Sequence, residues 1–151
     1  MNLQDEIKAL KDRIAELEQQ AKQEKEFPQD GDTYWCVVDG LLSNWSIYEG
    51  DYIDRGRKQS GNFFRTREQA EFTVEKLKVE AELRKFSRPF KEDEYNYFIQ
   101  IHPSHNNIVV ESDDFYQTQG TIYFESTTIA NEATDTVGED RIKKYIFGVE
   151  D

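Results

Sequence analysis

Leu3, Ile7, Leu10, Ile14, Leu17 and Ala21 follow one another at spacings of 4, 3, 4, 3 and 4, and polar side chains fill most positions between them. This is the a/d alternation of a heptad, with Ile7, Ile14 and Ala21 at a and Leu3, Leu10 and Leu17 at d. The pattern predicts an amphipathic helix over residues 1–27. Isoleucine at a with leucine at d favours a parallel two-stranded coiled coil, so Leu3, Ile7, Leu10, Ile14 and Leu17 are the expected dimerisation seam. The flanking charges agree: Glu6 at g faces Lys11 at e of the partner helix, and Arg13 faces Glu18. A helix this short is marginal alone, so the seam either pairs with a second copy or folds back onto its own body. Phe27-Pro28 ends the helix, because the residue before proline avoids the α region. Gln29 to Asp32 is a short polar linker.

Beyond the linker the period shortens. Tyr34 to Gly40 reads as a buried strand running into a turn, and Asn44 to Tyr48 as its hairpin partner. Glu49 to Gly61 is polar, carries three glycines and is expected to be a loop, with room for one helical turn. Asn62 to Arg65 is a short third strand. Thr66-Arg67-Glu68-Gln69 fits a capping box, and Ala70, Val74, Leu77 and Ala81 form the apolar stripe of a helix reaching to about Phe86. Strand patterning returns at Tyr95 to His102, and His102 to Asn107 is a turn cluster. Ile108 to Glu111, Phe115 to Gln117 and Thr121 to Glu125 are further strand candidates. Ser126 caps a helix with Ile129, Ala130, Ala133 and Val137 on one face, and Gly138 suits its C-terminal end. One more turn follows over Glu139 to Lys144, and apolar Tyr145 to Val149 docks on the core.

Phe63-Phe64-Arg65-Thr66 then Ala70 matches Tyr123-Phe124-Glu125-Ser126 then Ala130, sixty residues apart at every position. The expected fold is therefore α+β: a coiled-coil helix (1–27) and a body (33–151) of two strand-strand-strand-helix repeats, 33–87 and 95–151, packed together because each alone is too small for a good core.

Composition narrows the function. Apolar residues make up 36% and charged residues 33% of the 151, but 10 Phe, 8 Tyr and 2 Trp supply enough buriable surface for a folded body, with aromatics carrying much of its core. The net charge of −12 disfavours direct binding to nucleic acid and suits a partner with a basic surface. A single cysteine, Cys36, within an apolar run reads as a buried small hydrophobe in a reducing compartment. With charges interrupting the N-terminal apolar residues and no run long enough to cross a bilayer, the expectation is a cytoplasmic protein with no membrane contact.

The run Gly61-Asn62-Phe63-Phe64-Arg65-Thr66-Arg67-Glu68-Gln69-Ala70-Glu71, with Glu75-Lys76-Leu77-Lys78 after it, resembles a motif in a family of small phage and prophage proteins. The ending Val137-Gly138-Glu139-Asp140-Arg141-Ile142-Lys143-Lys144-Tyr145 with Gly148 is similar to that family's ending. The resemblance spans roughly residues 31–151, leaving the N-terminal helix as an appendage. It implies an accessory protein of a phage or mobile element, acting inside the host cell, and carries over no catalytic residue.

The side-chain inventory argues against an enzyme. His102 and His105 share one turn without an evident third metal ligand, Cys36 has no histidine at a telling spacing, and Gly50, Gly56 and Gly61 are too irregular for a phosphate-binding loop. No cofactor or metal is expected. Binding signals are better: Trp45, Tyr48, Asp51, Tyr52 and Asp54 set aromatics among acids, and Asp113, Asp114 and Tyr116 repeat the pattern, as a surface for a basic partner would. Arg55, Arg57 and Lys58 are the one dense basic patch. The leading expectation is a phage-encoded, anti-CRISPR-like inhibitor that blocks a host nucleic-acid-binding nuclease by protein–protein contact. The alternatives are a protein that sequesters a nucleotide signal on the basic patch, and a structural or assembly protein of the phage particle.

Overall fold

The computed structural model describes residues 2–40 and 42–150; Met1, Leu41 and Asp151, the first and last of which bound the predicted segments, lie outside them. The chain is α+β. In order the elements are α1 (Leu3–Lys25), β1 (Thr33–Val38), β2 (Leu42–Ile47), α2 (Tyr52–Gln59), α3 (Arg67–Arg84), β3 (Ser87–Arg88), β4 (Asn96–His102), β5 (Asn107–Asp113), β6 (Tyr123–Phe124), α4 (Thr127–Val137) and α5 (Glu139–Tyr145). They divide into two compact units, one of Met1–Val38 with Ser43–Ala70, the other of Asp39–Leu42 with Glu71–Asp151.

In the first unit β1 and β2 form a two-stranded sheet. Alternation along β1 buries Tyr34 and Cys36. Trp35 makes an antiparallel bridge to Phe64 through two backbone hydrogen bonds of 2.8 Å, which is all that forms of the strand expected over Asn62 to Arg65. The Asn62 side chain does the rest: its Oδ1 accepts from Val37 N at 2.7 Å and its Nδ2 donates to Val37 O at 2.9 Å, so an amide side chain stands in for a backbone partner. The Glu49–Gly61 stretch is more than a loop, for it holds the two-turn helix α2. Asp51 caps it by accepting from Asp54 N at 2.8 Å, a contribution comparable to the cost of Gly56 inside so short a helix. The α1 seam is uncovered, with Leu3, Ile7, Leu10, Ile14 and Leu17 between 45% and 74% exposed.

The helix α3 starts where the capping box places it. Thr66 Oγ1 accepts from Gln69 N at 3.2 Å, and the Gln69 side chain reaches back to Arg65 N, one residue before the cap. Its buried positions differ from the expected stripe: Ala70, Val74, Val79 and Leu83 are inside, while Leu77 and Ala81 are exposed. At 3.6 residues per turn, Val79 and Leu83 lie roughly half a turn around the helix from Ala70 and Val74. Different faces are covered along its length, so no single stripe describes it.

The second unit is built on a four-stranded sheet of order β3-β6-β4-β5. β4 and β5 are a regular antiparallel hairpin from Asn96↔Asp113 to His102↔Asn107, closed by a loop in which Asn106 takes a left-handed φ of 55°. Residues Phe115 to Gln117, expected as a strand, are irregular because the Asp113 side chain turns the chain at that point. β6 is two residues long, pairing with β3 on one edge and through Tyr97↔Phe124 with β4 on the other. Ser126 then caps α4, accepting from Ile129 N at 3.2 Å. Gly138 at φ 105° lets α4 end and α5 begin without a break, a conformation that a side chain would strain.

Val79, Leu83, Phe124, Ala130, Ala133, Val137 and Ile142 form this unit's core. Aromatic residues contribute less to it than composition suggests: Phe86, Tyr97, Tyr145 and Phe147 are partly buried around its rim, and Phe124 alone among them is at its centre. Tyr145, Ile146 and Phe147 dock on this core as expected. Arg141 on α5 holds Glu82 on α3 through two hydrogen bonds of 2.9 and 3.0 Å, and these bonds, helped by its charge, keep the Glu82 carboxyl below the ordinary glutamate range.

Asn96 is fully buried and ties the base of the hairpin. Its Nδ2 donates to the carbonyls of Lys91, Glu94 and Asp113, and its Oδ1 accepts from Lys91 N and Arg88 Nη1. Asn96→Ala leaves these groups without partners and should lower the unfolding free energy by about 2–3 kcal/mol in urea titration. Asn96→Asp, which keeps the acceptors and loses the donors, should not rescue it.

Candidate functional site

The two clusters of acids and aromatics meet different fates. In the first, Trp45 and Tyr52 are exposed, at 57% and 78%, and Asp51 is exposed at the helix cap. Tyr48 is half-buried, its ring against Tyr34 at 6.4 Å and under Lys58 Nζ at 5.4 Å. Asp54 is not on the surface at all. It is 4% exposed, because the Tyr34 hydroxyl donates to its Oδ1 at 2.5 Å and Glu49 N donates to its Oδ2 at 2.7 Å. Asp54 is thus a carboxylate that organises the first unit, and it leaves the set of residues able to touch a partner.

This buried arrangement shifts several groups. The Tyr34 hydroxyl, followed by the Glu49 amide, holds the Asp54 carboxyl below its ordinary value. Burial, and then the Asp54 acceptor, push the Tyr34 phenol up. The Tyr34 oxygen also accepts from Arg57 Nη1 at 3.1 Å, the main reason Arg57 clings to its proton. Burial likewise raises the Cys36 thiol, which donates to Asn44 O at 3.4 Å and so reads as structural.

The basic patch changes meaning accordingly. Arg57 is committed to Tyr34, and Lys58 donates to Pro28 O at 3.0 Å while lying over Tyr48. Only Arg55 of the three is exposed, so Arg55, Arg57 and Lys58 do not form an anion cradle. The support for nucleotide sequestration at this patch goes with it.

The second cluster stays at the surface. Asp114 is exposed and Tyr116 is 68% exposed. Asp113 accepts from Phe115 N at 2.8 Å and Tyr116 N at 3.0 Å, and these two amides, Tyr116 first, hold its carboxyl below the ordinary range. Sequence reasoning missed two neighbours: Phe115 at 79% and Tyr95 at 62% exposed. Their signals were present. An aspartate two residues before consecutive aromatics is a side-chain-to-backbone turn, and Tyr95 precedes the asparagine that the fold buries.

His102 and His105 face each other in the β4–β5 loop with ring centres 4.6 Å apart and Nδ1 atoms 3.1 Å apart. Among the described residues no three His, Cys, Asp or Glu side chains gather where they could hold a metal ion. A half-open recess of about 180 Å³ in the second unit is lined mainly by apolar side chains such as Leu83, Ile99, Ile122, Phe124 and Phe147. Glu80 and Arg84 at its rim lie 3.7 Å apart and offset one another's charge. No described helix is long and apolar enough to cross a membrane. No protein-family model, curated protein or solved structure matches this chain.

Tyr34→Phe removes the donor that most lowers the Asp54 pKa, and it should cost about 1–2 kcal/mol at pH 7. The folded-state pKa of Asp54 lies below its unfolded value, so this contribution is complete above about pH 4 and is lost as pH falls through the folded pKa. Urea unfolding should therefore show a gap between wild type and Tyr34→Phe that is constant at neutral pH and narrows in acid. A gap independent of pH would mean that the hydroxyl acts without the carboxylate.

Proposed function

We propose that this chain is a non-catalytic binding protein that dimerises through α1 and blocks a host protein with a basic surface, as a phage-encoded counter-defence inhibitor of a nucleic-acid-binding nuclease would. The uncovered α1 seam carries the reading. Five large apolar side chains, all on one heptad stripe, stand in water, an arrangement that costs free energy until something covers them. A second copy in parallel register covers them with like side chains and places Glu6 beside Lys11 and Arg13 beside Glu18. Arg13 meanwhile pairs within its own helix with Glu16 at 3.1 Å, so a change of partner on association is part of the proposal.

The net charge of −12 supports the choice of target. A carboxylate-rich surface competes with nucleic acid for a basic channel, and the host cytoplasm is where the two would meet. The resemblance to phage and prophage proteins favours counter-defence over housekeeping roles. We further infer that the two units are copies of one plan. Trp35↔Phe64 and Tyr97↔Phe124 are the same hairpin-to-strand contact, and in each copy a hydroxyl cap follows two residues later, at Thr66 and Ser126. The copies differ between hairpin and third strand, where the first has α2 and the second an irregular run.

Light scattering on the full chain should give twice the chain mass, and Ile14→Asp should give the chain mass with the near-ultraviolet circular dichroism kept. A monomeric wild type at tens of micromolar would remove the dimer. Capture from host lysate at low salt should recover a nucleic-acid-binding enzyme, released as salt screens the contact. Recovery of none would remove the inhibitor reading.

A further inference from the structure

Resting on the reading above that the partner is cationic, we propose that Tyr95, Phe115 and Tyr116, with the carboxylates of Glu92–Glu94, Asp113 and Asp114, form a docking surface for an arginine-bearing protein segment. The rings lie at one end of the second unit's hairpin. Asn96↔Asp113 is the terminal pair of β4 and β5, so Tyr95 and Asp114 are the next residues out on the two strands, and Phe115 and Tyr116 follow directly.

The backbone that carries them is fixed by buried groups. Asn96 Nδ2 donates to Glu94 O on one segment and Asp113 O on the other, and Arg88 Nη2 donates to Tyr95 O at 2.9 Å. Asp113 folds the chain so that the Phe115 and Tyr116 rings meet edge to face, 4.9 Å between centres at 75°. Three large rings are thus held out into water on an anchored frame. Exposed aromatics on a rigid support are what an interface anchor needs, because little ordering cost remains to be met on binding.

Charge identifies the occupant. The two segments bring Glu92, Asp93, Glu94, Asp113 and Asp114 against one exposed cation, Lys91, which lies 3.7 Å from Glu94 and 3.8 Å from Glu125. Arg88, the other cation here, is nearly enclosed and spends its donors on Pro89, Tyr95 and Asn96 and its charge on Glu125 and, at 3.9 Å, on Glu94. A guanidinium fits both halves of the surface: it stacks flat on an aromatic face and meets a carboxylate through paired N–H donors. An ammonium, compact and more strongly hydrated, gains less from the rings.

The test titrates the full-length protein with two labelled peptides of equal charge, one arginine-rich and one lysine-rich, at about 0.15 M salt, where long-range attraction is screened. Wild type should bind the arginine peptide more tightly, with the largest amide shifts at 93–96 and 113–117. Phe115→Ser with Tyr116→Ser keeps the net charge and replaces exposed side chains, so the fold should survive; affinity for the arginine peptide should fall about tenfold and the preference over lysine should vanish. Asp113→Asn keeps the turn-forming oxygen and removes one charge, and should lower affinity by a smaller factor. Unchanged arginine affinity in the serine variant would overturn this surface while leaving a cationic partner in place. Equal binding of both peptides by wild type would overturn the arginine assignment. Failure of wild type to bind either would overturn the surface and the cationic partner together. Self-association that the serine variant abolishes, with no peptide shifts at these residues, would assign the surface to a second copy and also overturn the proposal.

Discussion

Tyr123 and Phe124 are a strand of two residues, and the second unit converges on them. Side chains alternate across a strand, so the two rings point to opposite faces of the sheet. Phe124 enters the core with Val79, Leu83 and the α4 residues. Tyr123 sits against Phe90 and Phe98, with centres at 5.2 and 6.0 Å, and its hydroxyl accepts from Thr118 N at 2.7 Å. Their backbone is paired on both edges, and Ser126 starts α4 two residues later. A slip of one residue would exchange the faces of both rings at once, so register here is set by the side chains.

The chain uses side chains elsewhere to do what longer strands would do. Asn62 supplies the hydrogen bonds of a missing strand residue, Asp54 gathers the Glu49 and Tyr34 donors, and Asn96 closes the hairpin base. Each is a polar group inside, fully or partly, and each is satisfied, which is the condition on which such groups stabilise a fold. The same economy shapes the surface around Tyr95 and Tyr116, where the Asp113 carboxylate makes the turn that a backbone pair would otherwise make.

What could be read in the sequence was whatever depended on local periodicity. The α1 helix, the Thr66 and Ser126 caps and the β4–β5 hairpin announce themselves because neighbours along the chain determine them. The misreadings share a cause. Leu77 and Ala81 complete a good stripe, yet α3 buries different faces along its length, and only tertiary context selects Val79 and Leu83. α2 is hidden because Gly56 and its charged residues lack a helical stripe, while its support comes from Asp51 and the buried Asp54. Asp54 itself looks like one acid among many until Tyr34, twenty residues earlier, is seen to donate to it. For the candidate site, Asp113, Asp114 and Tyr116 could be read from composition, whereas Tyr95 joins them only through strand register.

Cys36 is the one thiol in the chain, it is 1% exposed, and it belongs to the first unit. A thiol reagent can reach it only when β1 lifts from its surroundings. The rate of its modification therefore reports openings that uncover β1, while the second unit holds no thiol to report its own. The protein carries a built-in clock for the local unfolding of one half.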